Sequence, residues 1–119
     1  MDKPKILICD DEEGVRESLS IILEKAYRPV LVSGGDEALK VLKENPDIKL
    51  VLLDVKMPKQ DGLQVLKQIK NISSDISVII ITGYQTSETA AEAIKLGALD
   101  YIVKPIDSKH VLASVNKAL

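Results

Sequence analysis

The chain holds no tryptophan and no phenylalanine, and its three aromatic residues are all tyrosine. Any core it builds must therefore be aliphatic. A single cysteine, Cys9, excludes an internal disulfide and favours a reducing compartment. As a lone thiol it reads as a small buried hydrophobe. The only histidine, His110, cannot supply a histidine-built metal cluster and reads as a surface residue of a helical stretch. No apolar run approaches the ~18 residues that a membrane span requires. No basic segment followed by an apolar stretch opens the chain. The expected location is cytoplasmic. Charge of one sign is also missing: 16 Lys+Arg stand against 18 Asp+Glu, a formal net charge of -2. That is too little positive charge to argue for nucleic acid.

At 119 residues, with 45% hydrophobic and 29% charged, the chain suits one soluble domain over residues 1–119. One pattern repeats five times. Short apolar runs at Lys5–Cys9, Pro29–Val32, Leu50–Leu53, Val78–Thr82 and Tyr101–Val103 lack clean alternation, as expected of parallel strands covered on both faces. Between them apolar residues recur at helical spacing: Val15, Leu19, Ile22, Leu23; then Ala38, Val41, Leu42; Leu66, Ile69; Ala90, Ala93, Ile94; and Val111, Leu112, Val115. Gly, Asn and Pro separate them. Alternation of strand and helix predicts an α/β, doubly wound parallel sheet with right-handed crossovers.

Open parallel sheets bind ligands beyond the carboxyl ends of their strands. Asp10, Asp11 and Glu12 follow the first strand, Asp54 the third, Thr82-Gly83 the fourth and Lys104-Pro105 the fifth. Either Asp10 or Asp11 alone reads equally well as a helix cap, and Thr82 alone as an ordinary strand residue. The convergence is what matters. Three ionised carboxylates placed together repel one another, and a hard divalent cation relieves the conflict. Mg2+ prefers one or two carboxylates together with waters and phosphate oxygens. Such a cation beside a lysine and a hydroxyl suits phosphoryl transfer, with Asp54 as a nucleophile that forms an acyl phosphate.

The segments "CDDEE", "LLDVKMPKQDG", "IIITGY" and "GALDYIVKPID", in this order, resemble the receiver domains of two-component response regulators, the CheY-like family. "GALDYIVKPID" is also similar to receivers of NtrC-type transcription regulators. The resemblance implies a flavodoxin-like sheet of five strands in the order 2-1-3-4-5 with five helices. It implies that Asp54 is the phospho-acceptor and that Mg2+ (or Mn2+) is held by Asp11, Asp54 and the backbone carbonyl of Lys56, with Asp10 acting mainly through water. Thr82 would bind a phosphoryl oxygen, Lys104 would pair with the phosphate, and Lys104-Pro105 would be a cis peptide. Tyr101 would be the rotameric switch, and Lys56 and Tyr84, flanking the mouth of the site, would tune the lifetime of the phosphoryl group.

The implied partners are a sensor histidine kinase or phosphotransfer protein, and a second copy of the domain across the face of the fourth helix, fifth strand and fifth helix (residues 86–96 and 104–119). Neither a membrane nor direct nucleic-acid contact by this domain is expected; the output is control of transcription. A turnover phosphatase of the haloacid-dehalogenase type is the runner-up. That class usually carries a second acid two positions after its nucleophile, where this chain has Lys56. A docking module that is never phosphorylated usually lacks one of the acids or the lysine, and all are present.

Overall fold

The computed structural model describes residues 3–57, 60–83 and 87–119; of Met57, Gln60 and Ser87 it describes the backbone alone. Five parallel strands alternate with five helices: β1 (Lys5–Cys9), α1 (Glu13–Leu23), β2 (Arg28–Val32), α2 (Gly35–Glu44), β3 (Leu50–Leu53), α3 (Gly62–Ile72), β4 (Ser77–Thr82), α4 (Ser87–Lys95), β5 (Asp100–Val103) and α5 (Ser108–Ala118). The order in the sheet is β2-β1-β3-β4-β5, the flavodoxin-like arrangement. The loop after β3 carries a feature that the sequence did not announce. A two-residue antiparallel ladder joins Lys56 to Asp61 and Met57 to Gln60.

Successive strand residues point to opposite faces, and the sheet sorts its side chains accordingly. Leu7, Cys9, Val51, Leu53, Val78 and Ile80 share a core with Ala38, Leu42, Val65, Leu66 and Ile69 of α2 and α3. Ile6, Ile8, Leu50, Leu52, Ile79 and Ile81 share the other with Leu19 and Leu23 of α1 and Val111 and Val115 of α5. Both faces are dry, so both parities must be aliphatic, which explains the unalternating runs. α5 is tied to β5 by a polar contact as well. The Ser114 hydroxyl donates to Asp100 at 2.7 Å, and the same carboxylate accepts from the Tyr101 amide at 2.8 Å. His110, with a side chain 52% exposed, lies 3.9 Å from Asp100. Ile94, counted in an apolar stripe from its spacing, is exposed. Short α4 buries Ala93 instead.

The chain reverses its direction of travel along the sheet at β1 and β3, whose carboxyl ends therefore flank the switch-point crevice. One glycine closes the loop beside it. Gly62 opens α3, and its amide donates to the Val55 carbonyl at 3.2 Å. A Cβ there would sit 2.1 Å from the Val55 Cα. Only a residue without a side chain allows this approach. Gly62→Ala should cost about 1–3 kcal/mol through forced backbone displacement, read as a lower midpoint in urea unfolding. An unchanged midpoint would show that the loop yields freely.

Candidate phosphoryl-transfer site

The backbone ladder carries the site residues past the ends of the strands. The Asp10 amide donates to the Val32 carbonyl at 3.2 Å, the Asp54 amide to the Cys9 carbonyl at 3.0 Å, and the Lys104 amide to the Thr82 carbonyl at 2.8 Å. Three candidate site residues are thereby fixed to neighbouring strands by main-chain bonds. Asp10 and Asp54 are 2% and 3% exposed and Thr82 is fully buried, whereas Asp11 and Glu12 face solvent. Ligand oxygens of Asp10, Asp11, Glu12 and Asp54 lie within 4.8 Å of one another.

Buried carboxylates need partners, and both have them. Asp10 accepts from the Glu12 amide at 2.9 Å. Asp54 accepts from the Lys56 amide at 2.9 Å. The remaining oxygen of each meets the Lys104 ammonium at 3.0 Å, and Glu12 reaches the same ammonium at 2.9 Å. The Lys104-Pro105 peptide is cis. Burial works against the charged form of Lys104, but the three carboxylates outweigh it and hold its pKa above the ordinary lysine value. Its charge therefore persists throughout the physiological range.

Burial raises the Asp10 carboxyl above its ordinary value, and the Asp54 charge adds to this. The Glu12 amide and Lys104 pull the other way without cancelling it. Burial, with the Asp10 and Asp54 charges, also pushes the Cys9 thiol up to about 12. Cys9, 1% exposed, is accordingly an inert core residue, as expected from the sequence.

Four acids against one ammonium leave a surplus of negative charge, and the oxygen-only donor set suits a hard divalent cation such as Mg2+. The sequence-derived residues Asp10, Asp11, Asp54 and Lys104 do come together, with Thr82 beside Lys104 in the ladder. Lys56 contributes its amide to Asp54, and its side chain is exposed. Tyr101 is half-buried against the core that contains Ile80. Tyr84 lies outside the described residues. The alternative of Asp10 as a helix cap does not hold: its carboxylate bonds the amide of Glu12, the residue preceding α1, and no side chain caps that helix. Asp61 caps α3 by accepting from the Leu63 amide at 3.0 Å.

Sequence reasoning missed two residues. Glu12 stood on the rim, but nothing in a linear pattern paired it with Lys104, 92 positions away. Arg16 was passed over. It lies one turn into α1, and its guanidinium donates to the Asp10 carbonyl at 2.6 Å. A signal existed, because a cation in the first turns of a helix opposes the macrodipole and implies a specific acceptor.

A doubly wound fold with clustered acids and a half-buried lysine at its switch point defines a phosphoryl-accepting signalling domain. The chain belongs to the response regulator receiver domain family, whose model matches residues 6–116. It is 40% identical to the transcriptional regulatory protein ZraR of Escherichia coli (strain K12) over 99% of this chain, but spans only 27% of ZraR. It is equally 40% identical to sporulation initiation phosphotransferase F of Bacillus subtilis (strain 168), over 100% of this chain and 96% of that protein. Among solved structures, the beryllofluoride-activated NtrC4 receiver domain dimer superposes with a TM-score of 0.91 at 39% identity, covering 97% of this chain and 95% of that one. CheY from Borrelia burgdorferi, in its complex with CheX, BeF3 and Mg2+, superposes at 0.89 with 30% identity over 95% of this chain and 87% of that one. Receiver domains are phosphoryl-accepting switches. No helix among the described residues is long and apolar enough to cross a membrane.

The raised Asp10 pKa yields a signed prediction. Between the carboxyl's unfolded value and its higher folded value, the folded chain binds the proton more readily than the unfolded chain. Stability attributable to this group therefore falls as pH rises through that window. In EDTA, Asp10→Asn should raise the melting temperature at neutral pH, and the advantage should shrink as pH falls toward the ordinary carboxylate range. Melts of both proteins across this range decide the matter; a lower melting temperature for Asp10→Asn at neutral pH would overturn it.

Proposed function

We propose that Asp54 accepts the phosphoryl group from a histidine kinase or phosphotransfer protein, and that the domain then changes its partner affinity to control transcription. The observation that carries this reading is the placement of Asp54. It is a nearly buried carboxylate whose Oδ2 is held by Lys104 at 3.0 Å, inside a cluster of four acids. In the transfer, an Asp54 oxygen forms a bond to phosphorus as the bond from phosphorus to the donor's imidazole nitrogen breaks. The imidazole leaves with the electron pair and takes up a proton. Asp11, Asp54 and the Lys56 carbonyl would hold Mg2+, with Asp10 acting through water. The bound cation supplies counter-charge to the carboxylates and polarises the phosphoryl oxygens.

Lys104 has a defined part in this scheme. Once an Asp54 oxygen is bonded to phosphorus as an acyl phosphate, the negative charge lies on the phosphoryl oxygens, and the ammonium can follow it while keeping Asp10 and Glu12. Charge-assisted contacts of this kind stabilise the developing equatorial charge. Thr82, at the end of the adjacent strand, would donate its hydroxyl to a phosphoryl oxygen, and Tyr101 on β5 would turn inward in response. The face formed by α4, β5 and α5 would change with it, as a surface for a partner or a second copy; Thr86, the first residue of that stretch, lies outside the described residues. The dimer in the solved NtrC4 receiver structure supports the homodimer reading. No turnover of a small substrate is assigned: Lys56 occupies the position where a phosphatase of the competing type carries an acid.

The direct test is incubation with acetyl phosphate and Mg2+. Wild type should gain the mass of one phosphate and Asp54→Asn none. On the same phosphorylated samples, the change in association state by light scattering should be lost in Tyr101→Ala. Phosphorylation of Asp54→Asn to the wild-type extent would sink the assignment.

The lifetime of the phosphoryl group is a second measurable consequence. Hydrolysis needs a water in line with the bond to phosphorus, roughly 3 Å from it. Neither Lys56 nor Tyr84 offers a carboxylate or amide to orient such a water, and both are bulky enough to crowd it. Lys56→Asn combined with Tyr84→Ala should speed phosphate loss about tenfold, equivalent to ~1.4 kcal/mol of barrier. Equal half-lives of the two phosphoproteins in Mg2+ would mean that these side chains do not gate the water.

A further inference from the structure

We infer that Arg16 is a positioning residue for divalent-cation binding, holding the peptide unit between Asp10 and Asp11 in the orientation that delivers both acids to one site. The inference rests on the Mg2+ reading above. It begins from an oddity. Arg16 is half-buried and reaches a residue of the four-carboxylate cluster, yet among the described residues it forms no ion pair with any of those carboxylates. It donates instead to a backbone carbonyl, that of Asp10, at 2.6 Å. This is short for a charge-assisted bond.

A carbonyl shares its plane with the next amide. Fixing the Asp10 oxygen therefore fixes the direction in which the chain departs toward the Asp11 Cα. The other bonds to Asp10 act elsewhere. Its amide is held by the Val32 carbonyl, and its side-chain oxygens by the Glu12 amide and by Lys104. Those bonds set Asp10 itself. The Arg16 bond sets the link to Asp11, whose exposed position at the strand end gives it no burial to restrain it.

Two physical roles for Arg16 predict opposite signs. As a nearby positive charge it repels a divalent cation, so its removal would tighten binding. As a clamp on the Asp10–Asp11 peptide it supports the ligands, and its removal weakens binding. Loss of an outer partner of a metal ligand typically costs 10–100-fold in affinity.

The test is calorimetric titration of the full, EDTA-treated chain with MgCl2, alongside the Mg2+-dependent rise in melting temperature, which follows binding to the native state. Arg16→Met should raise the Kd about tenfold and diminish that rise. The change should persist in high salt, where a purely electrostatic effect is screened. Arg16→Lys keeps the charge but gives up the planar donor fork, and should fall between the two. A Kd for Arg16→Met equal to or below that of wild type overturns the inference while leaving the metal reading standing. Absence of Mg2+ binding by wild type overturns both. Should Arg16→Met fail to fold, Arg16→Lys carries the test, with a raised Kd in support and an unchanged one against.

Discussion

Two carboxylates almost removed from water at the ends of adjacent strands set the terms for everything around them. Asp10 and Asp54 lie where the twisted sheet opens, and an uncompensated buried charge costs several kcal/mol. The responses come from three groups: the Glu12 amide, the Lys56 amide and the Lys104 ammonium, which the Glu12 carboxylate also draws on. Replacing such a cluster with packed aliphatic side chains is often neutral or stabilising. The acids are therefore understood through the chemistry of phosphorus and not through the stability of the fold.

The strands were legible because both faces of the sheet are dry, which forces every position to be aliphatic. The first residues of β1 and β3 were legible too, but those of the other three were not. β2, β4 and β5 each begin one residue earlier than the hydrophobic pattern, at Arg28, Ser77 and Asp100. The starts are set by main-chain bonds, such as the Arg28 amide on the Pro4 carbonyl and the Ser77 amide on the Lys49 carbonyl, and these leave no trace in side-chain hydrophobicity. The same division holds at the site. Asp10, Asp54 and Lys104 were readable because the topology sends strand ends to one rim. Glu12 as a partner of Lys104, and Arg16 as a clamp, depend on which way side chains turn after the chain has folded. The roles proposed for Thr82 and Tyr101 came from family resemblance, since a buried threonine and a half-buried tyrosine carry no chemistry of their own in a linear pattern.

Placement by main-chain ladder also bears on geometry. Phosphoryl transfer succeeds through positioning and fixed charge more than through covalent participation by many groups. Asp10, Asp54 and Lys104 ride on amides bonded to neighbouring strands, so their backbone positions inherit the stiffness of the sheet. Asp11 and Glu12, one and two residues further on, have no such ladder bond, and there the structure uses side chains to the same end.

The contact between Asp100 and Ser114 gives the far edge of the molecule a different mechanical character. β5 is an edge strand, paired among the described residues with β4 alone. α5 follows it directly in the chain, and the serine hydroxyl binds the strand's first carboxylate. The two elements are thereby cross-braced, so that peeling one from the body loosens the other. In amide exchange they would open as one cooperative unit, and a displacement felt at either end of the strand is delivered to the helix as a rigid push.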